Sequence, residues 1–207
     1  MMRKLSKTFY QRDNVLLIAK QLLGKILVTR FNGIETSGRI VEVEAYAGVI
    51  DKASHAFGGK KTSRNKVMYT NGGVAYVYLC YGIHHLFNVV TNIEGIPHAI
   101  LIRAVEPLKG IKLMMKRTGK KKPDSYRVDY SLTKGPGNVS KTLGIITKLS
   151  GASLQKKTLF IAEDDFELNK KDIADSPRIG VNYAGEDAKL AYRFFIKGNP
   201  FVSSRPK

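Results

Sequence analysis

Apolar and polar positions form patterns that predict one short helix near the start of the chain and a series of strands after it. Apolar residues recur at helical spacing from Val15 to Leu23, which predicts an amphipathic helix. Asp13 precedes this segment and belongs to the residue types that cap helix N-termini. Gly24 follows it and is placed to end the helix.

The next apolar segments predict a hairpin. KILVTRF (residues 25–31) and IETSGRIVEVEAY (residues 34–46) read as strands, and Asn32-Gly33 lies between them. This dipeptide most readily supplies the positive φ angles of a tight hairpin turn. We therefore expect the two segments to pair with each other.

A polar stretch separates this hairpin from further predicted elements. Residues 51–73 are rich in Gly, Lys, Ser, Thr and Asn and are expected to form a long loop. Pro107 is placed to open a helix over 108–118. The other predicted elements are strands at 74–80, 85–92, 98–106, 159–163 and 192–198, a turn at 134–138 and a short helix at 140–145.

The order of these elements indicates the fold class. Successive strands joined by short turns predict antiparallel pairing, and the chain has no regular strand–helix–strand alternation. No internal repeat or low-complexity linker divides the sequence. We therefore expect an α+β fold around a mainly antiparallel sheet, in a single domain over residues 1–207.

The charge balance indicates the partner class. Lys and Arg number 35 against 17 Asp and Glu, which gives a net charge of +18. Such a surface attracts polyanions, so nucleic acid is the expected partner, ahead of an anionic membrane. No apolar run approaches the roughly 18 residues needed to cross a bilayer, and no secretory signal is evident. We expect a soluble, intracellular protein.

Motifs for cofactors and metals are missing from the sequence. The chain has no phosphate-binding loop, no dinucleotide fingerprint and no HExxH segment. Its single cysteine, Cys80, lies in no Cys/His cluster. His84 and His85 are adjacent, so they point to opposite faces of a strand and make poor joint ligands. These absences argue against phosphate-loop, structural-zinc and zinc-hydrolase chemistry.

Two carboxylates share a strand face with an aromatic ring. Strand alternation places Glu42, Glu44 and Tyr46 on one face of IVEVEAY. The apolar residues of the segment fall on the other face: Val41, Val43 and Ala45. On a partly buried face, desolvation and mutual repulsion raise the pKa of one carboxyl, as suits a general base. A solvated face with two ordinary glutamates is the commoner alternative.

The segment VAYVYLCYG carries three tyrosines with two open interpretations. Tyr76 and Tyr78 lie on one face of the predicted strand, and Tyr81 falls at the turn that ends it. Strand tyrosines usually pack in a core. In a strongly basic protein, a tyrosine beside a turn also serves to stack on a base or to wedge into a duplex.

Five ordered segments carry a resemblance to a known family: IVEVEAYAG, SHAFGGKKTSRNKVMY, GGVAYVYLCYG, LIRAVEP and RIGVNYAGEDAKLAYRFFIKGNPFVS. They closely resemble the alkyladenine (3-methyladenine) DNA glycosylase family, over most of residues 9–204. The resemblance implies a monofunctional base-excision repair enzyme. Such an enzyme flips alkylated purines, and in some members ethenylated or deaminated ones, out of duplex DNA and hydrolyses the N-glycosidic bond. It also implies a curved antiparallel sheet flanked by helices, no cofactor, and a monomer acting on double-stranded DNA that contains damaged purines.

The resemblance assigns catalytic roles by motif position. Glu44, the second glutamate of VEVEAY, matches the general base that deprotonates the attacking water. Arg103 in LIRAVEP matches the arginine that helps to hold this water. The backbone carbonyl of Val181 in RIGVNYAG matches a further water contact.

The same comparison assigns the pocket for the flipped base. Tyr46, His55 and Tyr78 match its walls. Asn88 matches the side chain that disfavours normal guanine through the exocyclic amine of that base. Tyr81 matches the residue inserted into the duplex in place of the extruded nucleotide.

Several residues are expected to contact DNA outside this pocket. Lys60 lies in the basic loop that is predicted to meet phosphates, and Thr62 matches a family contact to the DNA backbone. Met68 is assigned to the same DNA-binding group. The lysine-rich segment 112–122 is a further candidate, although a solvated helix end fits it equally well.

Three positions have no catalytic or pocket role in this interpretation. Asn138 stands where many family members carry a lysine after the Gly-Pro turn, so one phosphate contact is expected to be weaker. Cys80 is expected to be a buried strand residue. Tyr183 is expected to be an ordinary packing residue.

Two other function classes remain open. A non-catalytic nucleic-acid-binding domain would use the positive charge and the tyrosines without any need for a pocket at Glu44. A glycosidase for free nucleosides would use the two carboxylates but would need no basic surface.

Overall fold

The structure, a computed structural model, describes residues 2–120 and 129–203. Within these ranges nine strands join one sheet, and their pairing is antiparallel. The strands are β1 (Arg3–Lys4), β2 (Ile26–Phe31), β3 (Ile34–Tyr46), β4 (Ala75–Cys80), β5 (His84–Thr91), β6 (His98–Lys109), β7 (Leu159–Glu163), β8 (Ile173–Ser176) and β9 (Arg193–Ile196). The α-helices are α1 (Lys7–Tyr10), α2 (Val15–Leu22), α3 (Ile111–Thr118) and α4 (Pro136–Leu143). The expected α+β class with a mainly antiparallel sheet is confirmed.

The long strand β3 organises the sheet. It pairs with β6 on one side and, on the other, first with β2 and then with β9. The sheet order is β1-β7-β2-β3-β6-β5-β4, with β8 joined to β9. Residues 42–44 of β3 therefore lie between β6 and β9, in the interior of the sheet.

The β2–β3 turn and the helix α2 follow from local sequence signals. Asn32 and Gly33 have φ angles of 51° and 76°, which confirms the predicted hairpin. The side chain of Asn14 caps α2 by accepting a hydrogen bond from the backbone N–H of Leu17 at 2.9 Å. The prediction that Asp13 caps this helix was wrong. The cap position directly precedes the first helical residue, Val15, and therefore falls on Asn14.

Two prolines lie in elements other than those predicted. β6 continues through Pro107, and α3 begins at Ile111 after Gly110, which has a φ angle of 79°. Pro107 pairs with Gly38 beside a register shift, where a missing N–H is tolerated. α4 begins at Pro136, inside the predicted turn, because proline suits the first turn of a helix.

A bulge alters the side-chain alternation of β3. The pairing of β3 with β6 shifts register on both sides of Glu42. Val41 consequently packs against Phe201, whereas Val43 and Ala45 belong to the main core. The alternation expected from the sequence therefore fails at Val41, since a bulge changes the direction of the side chains beside it.

One segment that was predicted to contact DNA lies only partly within the residues that the structure describes. The lysine-rich segment 112–122 begins in α3, and its residues 121 and 122 lie outside the described residues.

In the part of the chain that the structure describes, no helix combines the length and apolar character needed to cross a bilayer.

Asn14→Ala is expected to destabilise the protein by about 1 kcal/mol, because α2 loses the side-chain acceptor at its N-terminus. Asp13→Ala serves as the matched control and is expected to change the free energy of unfolding by less than about 0.5 kcal/mol, because its side chain is exposed. Urea unfolding measures both values. An equal or larger loss in Asp13→Ala contradicts the assignment of the cap.

Candidate active site

Glu44 lies within β3 and has 0% exposed surface. Its Oε2 accepts a hydrogen bond from the hydroxyl of Tyr46 at 2.9 Å, and its Oε1 accepts one from the backbone N–H of Ile179 at 2.7 Å. Arg103 Nη1 lies 3.3 Å from the same Oε1. Both carboxylate oxygens therefore have partners, as the burial of a charge requires.

Glu42 is also fully buried and is bonded more completely. Its Oε1 accepts hydrogen bonds from Arg193 Nε at 2.6 Å and from Arg103 Nε at 3.2 Å. The backbone N–H and the hydroxyl of Ser203 donate to this carboxylate at 2.7 Å and 2.6 Å. Burial alone would lower the pKa of Arg103, but Glu44 and Glu42 raise it above its ordinary value. One guanidinium thus bridges two buried carboxylates.

A recess adjoins Glu44 through the ring of Tyr46. The recess is lined by Tyr46, Ala53, Ser54, His55, Met68, Tyr76, Tyr78, Asn88, Ala99 and Tyr183. The structure therefore brings together all four residues that the resemblance assigned to the base pocket. The unfilled volume of the recess is about 30 Å³, which is room for one or two water molecules.

The aromatic walls of the recess are uncharged near neutral pH. The Nδ1 of His55 lies 2.8 Å from the Tyr76 hydroxyl oxygen, and the His55 and Tyr78 rings meet edge to face at 4.6 Å. Burial, assisted by the positive charge of Arg64, lowers the pKa of His55 to about 4. Burial raises the pKa of Tyr76 to about 12. The imidazole is therefore neutral and the phenol stays protonated at pH 7.

Two further lining residues are held firmly. The Nδ2 of Asn88 donates to the backbone carbonyls of Tyr76 and Leu86 at 3.2 Å and 3.3 Å. These two bonds keep the bulk of the amide in place. Met68 is buried beside Tyr76 and Ala99, so its side chain is not available for a surface contact with the DNA backbone.

The polar loop after β3 is tied together by a buried asparagine that the sequence analysis did not single out. Asn65 Oδ1 accepts a hydrogen bond from the backbone N–H of Thr62 at 2.7 Å. Its Nδ2 donates to the backbone carbonyls of His55 and Lys60, each at 2.8 Å. Thr62 and Lys60 are exposed at the surface of this loop. The available signal was an asparagine in a glycine-rich stretch, where such side chains often bond to nearby backbone.

Tyr81 lies at the tip of the β4–β5 hairpin. The connection between Cys80 and His84 consists of Tyr81, Gly82 and Ile83. Tyr81 has a φ angle of 49° and is 90% exposed. A positive φ is uncommon for a residue other than glycine, so the short turn holds this ring away from the protein surface. Cys80 is half-buried, not fully buried as expected.

A buried ion pair that had no signal in the sequence fixes the segment facing Glu44. Arg178 Nη2 donates to Asp51 Oδ1 at 2.8 Å, and Arg178 Nη1 donates to the backbone carbonyl of Ala45 at 2.9 Å. The guanidinium also lies 4.9 Å from the centre of the Tyr46 ring. These contacts hold the following residue, Ile179, where its N–H reaches Glu44.

The same segment continues to the edge of the recess. Val181 is buried against Ala53, and its carbonyl accepts a hydrogen bond from the N–H of Ala184 at 2.9 Å, which leaves a second lone pair free. Tyr183 is 71% exposed and lines the recess, and its hydroxyl donates to the carbonyl of Ala53 at 3.1 Å. The expectation that Tyr183 is an ordinary packing residue was therefore wrong.

The arrangement suits proton abstraction from water next to a flat apolar group. A carboxylate offers about four acceptor positions, and Glu44 uses two of them in hydrogen bonds to the protein. The guanidinium of Arg103 lies beside this carboxylate, with Nη1 3.3 Å from Oε1. Among residues 2–120 and 129–203, no group of three or more His, Cys, Asp or Glu side chains is placed to hold a metal ion.

Comparison with known proteins places the chain in a family. The model of the methylpurine-DNA glycosylase family matches residues 8–200. A protein of Desulfitobacterium hafniense is 42% identical over 98% of this chain and 99% of that protein. Proteins of Bacillus cereus and Clostridium tetani are 46% and 45% identical, over 96% and 98% of this chain and 98% and 100% of their own lengths. All three carry the assigned name 3-methyladenine DNA glycosylase. This chain therefore belongs to the methylpurine-DNA glycosylase family.

Proposed function

We propose that this chain removes alkylated purines from double-stranded DNA by hydrolysing the N-glycosidic bond with a water molecule that Glu44 activates. It acts as a monofunctional, monomeric glycosylase and leaves an abasic site. The observation that carries the proposal is the placement of Glu44, a buried carboxylate bonded at 2.9 Å to Tyr46 in the wall of an aromatic recess. Membership of the methylpurine-DNA glycosylase family supports the substrate class.

Glu44 is a better candidate for the general base than Glu42. Glu42 accepts hydrogen bonds from two arginines and from both donors of Ser203. These bonds occupy the roughly four acceptor positions of a carboxylate. Glu44 keeps acceptor capacity for a water molecule, and only Glu44 is bonded to a residue of the recess.

Access to Glu44 depends on movement of a wall residue, because Glu44 has no exposed surface. Tyr183 is the wall residue best suited to move, because it is largely exposed and its hydroxyl donates a hydrogen bond to the carbonyl of Ala53. We infer that the flipped nucleotide and the attacking water reach the carboxylate when this ring swings aside.

The bond changes in the proposed reaction balance without a cofactor. Glu44 takes one proton from the water while the water oxygen bonds to C1′ of the sugar. The bond between C1′ and the purine breaks, and its electron pair leaves with the base. A purine alkylated at N3 or N7 carries a positive charge that this pair neutralises, so it needs no separate proton donor. Arg103 and the carbonyl of Val181 hold the water in place.

Recognition of the damaged base follows from the uncharged aromatic walls. A cationic purine stacks favourably on electron-rich rings such as Tyr46 and Tyr78. The neutral imidazole of His55 adds no repulsion, because its pKa lies near 4. The fixed amide of Asn88 disfavours normal guanine. We extend the proposal to ethenylated and deaminated purines, whose flat rings stack on the same walls. These bases are neutral, so the departing purine also takes up one proton from solvent, and Glu44 returns its own proton to solvent after the reaction.

The duplex is held by groups around the recess. Tyr81 projects from the β4–β5 turn and fills the space that the extruded nucleotide leaves, which offsets the cost of unstacking. The loop that carries Lys60 and Thr62 meets the phosphates. The net charge of +18 supports binding through the DNA backbone.

Glu44→Gln is expected to lower the single-turnover rate of base release by at least about 100-fold, because the amide cannot accept the proton of the water. Binding to damaged duplex is expected to stay within about threefold, since the side chain keeps its shape. The measurement uses a duplex with one 7-methylguanine and follows abasic-site formation, in a buffer with a metal chelator. A second duplex with hypoxanthine tests neutral purines.

Glu186→Gln is the matched control for this substitution. Glu186 is exposed and pairs with Lys189 on the surface, so this variant is expected to release the base at the wild-type rate. Wild-type activity in Glu44→Gln removes Glu44 from the mechanism. Absence of base release by the wild-type protein on every damaged duplex favours a non-catalytic DNA-binding domain instead.

Tyr81→Ala is expected to weaken binding to damaged duplex about tenfold, because the flipped state loses its wedge. Binding to single-stranded DNA is expected to change less than about twofold, since no base pair has to be replaced there. Phe166→Ala, at an exposed aromatic residue outside the recess, serves as the control. Fluorescence anisotropy on both substrates measures the effect, and equal losses on duplex and single strand rule out the wedge role.

His55 is expected to stay neutral down to about pH 5, because burial lowers its pKa to about 4. This folded-state pKa lies below the ordinary value of 6.5, so protons bind the unfolded chain preferentially. The stability that neutral His55 contributes is therefore complete above pH 6.5 and falls as the pH drops towards 4. An NMR titration of the imidazole nitrogens measures the midpoint, and a midpoint above pH 6 contradicts the buried, neutral ring.

A further inference from the structure

Arg103 is shared between two carboxylates, and its position relative to Glu44 therefore depends on the other one. Its Nε bonds Glu42 at 3.2 Å, and its Nη1 lies 3.3 Å from Glu44. A guanidinium is planar with donors in a fixed fork. A shift of Glu42 therefore rotates the edge of the guanidinium that faces Glu44.

Ser203 and Arg193 supply most of the hydrogen bonds that hold Glu42. Ser203 donates both its backbone N–H, at 2.7 Å, and its hydroxyl, at 2.6 Å. Arg193 donates to Glu42 at 2.6 Å and also to the carbonyl of Ser203 at 2.7 Å. The carboxylate of Glu42 is thus hydrogen-bonded both to β9 and to the segment that contains Ser203.

This terminal segment is itself fixed to the sheet. Phe201 is buried against Val41 and Ala104. The side chain of Asn199 donates to Glu106 at 3.0 Å. Residues 199–203, which we name the C-terminal strap, therefore lie along β3 and β6 beside the paired carboxylates.

We propose that Ser203 and Glu42 are positioning residues for the glycosylase reaction: the C-terminal strap sets the orientation of Glu42, and Glu42 sets the orientation of Arg103 towards Glu44 and the attacking water. This inference rests on the proposed function of Glu44. The contribution of Ser203 is made in the reaction step and not in DNA binding, because the side chain of Ser203 is bonded to the buried Glu42 and the strap is not part of the recess lining. The proposed role of Ser203 therefore differs from a purely structural one. Loss of the side chain lowers the rate of base release while the affinity for DNA stays constant.

The test is single-turnover base release from a duplex with one 7-methylguanine. Ser203→Ala is expected to lower the rate about tenfold, which corresponds to the loss of one hydrogen bond to a charged group. The Kd for the same duplex is expected to stay within about twofold. Ser203→Thr keeps the hydroxyl and is expected to restore the rate to within about twofold of the wild type.

Thr29→Val is the matched control, because Thr29 is fully buried and loses a buried hydroxyl that donates to the backbone carbonyl of Leu143 at 2.8 Å, away from Glu42 and Arg193. It is expected to release the base at close to the wild-type rate even where its melting temperature falls. A rate loss in Thr29→Val equal to that in Ser203→Ala indicates general destabilisation and overturns the proposal. So does a rate loss that Ser203→Thr fails to reverse.

A second measurement does not depend on how the variants fold or on catalysis. NMR detection of the Arg103 Nε–H group in the wild-type protein is expected to show slow exchange with solvent, because Glu42 holds this donor. Rapid exchange overturns the proposal. In Ser203→Ala the exchange is expected to become faster.

The same assays separate failure of this inference from failure of the proposed function. Wild-type base release in Glu44→Gln refutes the proposed base, and the Arg103 exchange measurement still reports on positioning. An inactive Glu44→Gln together with a fully active Ser203→Ala refutes only the role of the C-terminal strap.

Discussion

The structure depends on the burial of two carboxylates around one arginine. Charges removed from water are costly unless each is paired and hydrogen-bonded, and Glu42 and Glu44 have no exposed surface. Their compensation comes from distant parts of the chain: Arg103 on β6, Arg193 on β9, and backbone donors at Ile179 and Ser203. The cluster forms only when β3 lies between β6 and β9, so the sheet topology and the site are specified together.

The recess adds a different kind of surface to this charged cluster. Its walls are aromatic and uncharged, and they are linked to one another by the His55–Tyr76 bond and edge-to-face ring contacts. Tyr46 belongs to both regions, since its ring lines the recess and its hydroxyl bonds Glu44. A flat group that stacks in the recess lies beside a buried carboxylate, while Lys60, Thr62 and Tyr81 are exposed at the surface.

Sequence patterns predicted the local elements well and the buried polar contacts poorly. Alternation placed Glu42, Glu44 and Tyr46 on one face, and Asn32-Gly33 located the hairpin, because both signals act over a few residues. Burial of that face depends on partners more than 50 residues away, which periodicity cannot reveal. The resemblance to a family named four residues that the structure brings together around the recess, but the Asp51–Arg178 and Glu42–Ser203 contacts join positions with no common motif. Which of two neighbouring residues caps a helix, such as Asp13 or Asn14, depends on the residue at which tertiary packing makes the helix begin.

The complete burial of Glu44 has a consequence for the resting protein. A carboxylate with no exposed surface meets bulk water only after a neighbouring group moves. Tyr183, which is 71% exposed and lines the recess, is such a neighbour. Small solutes therefore reach this carboxylate less readily than a ligand that binds over the recess and displaces the ring.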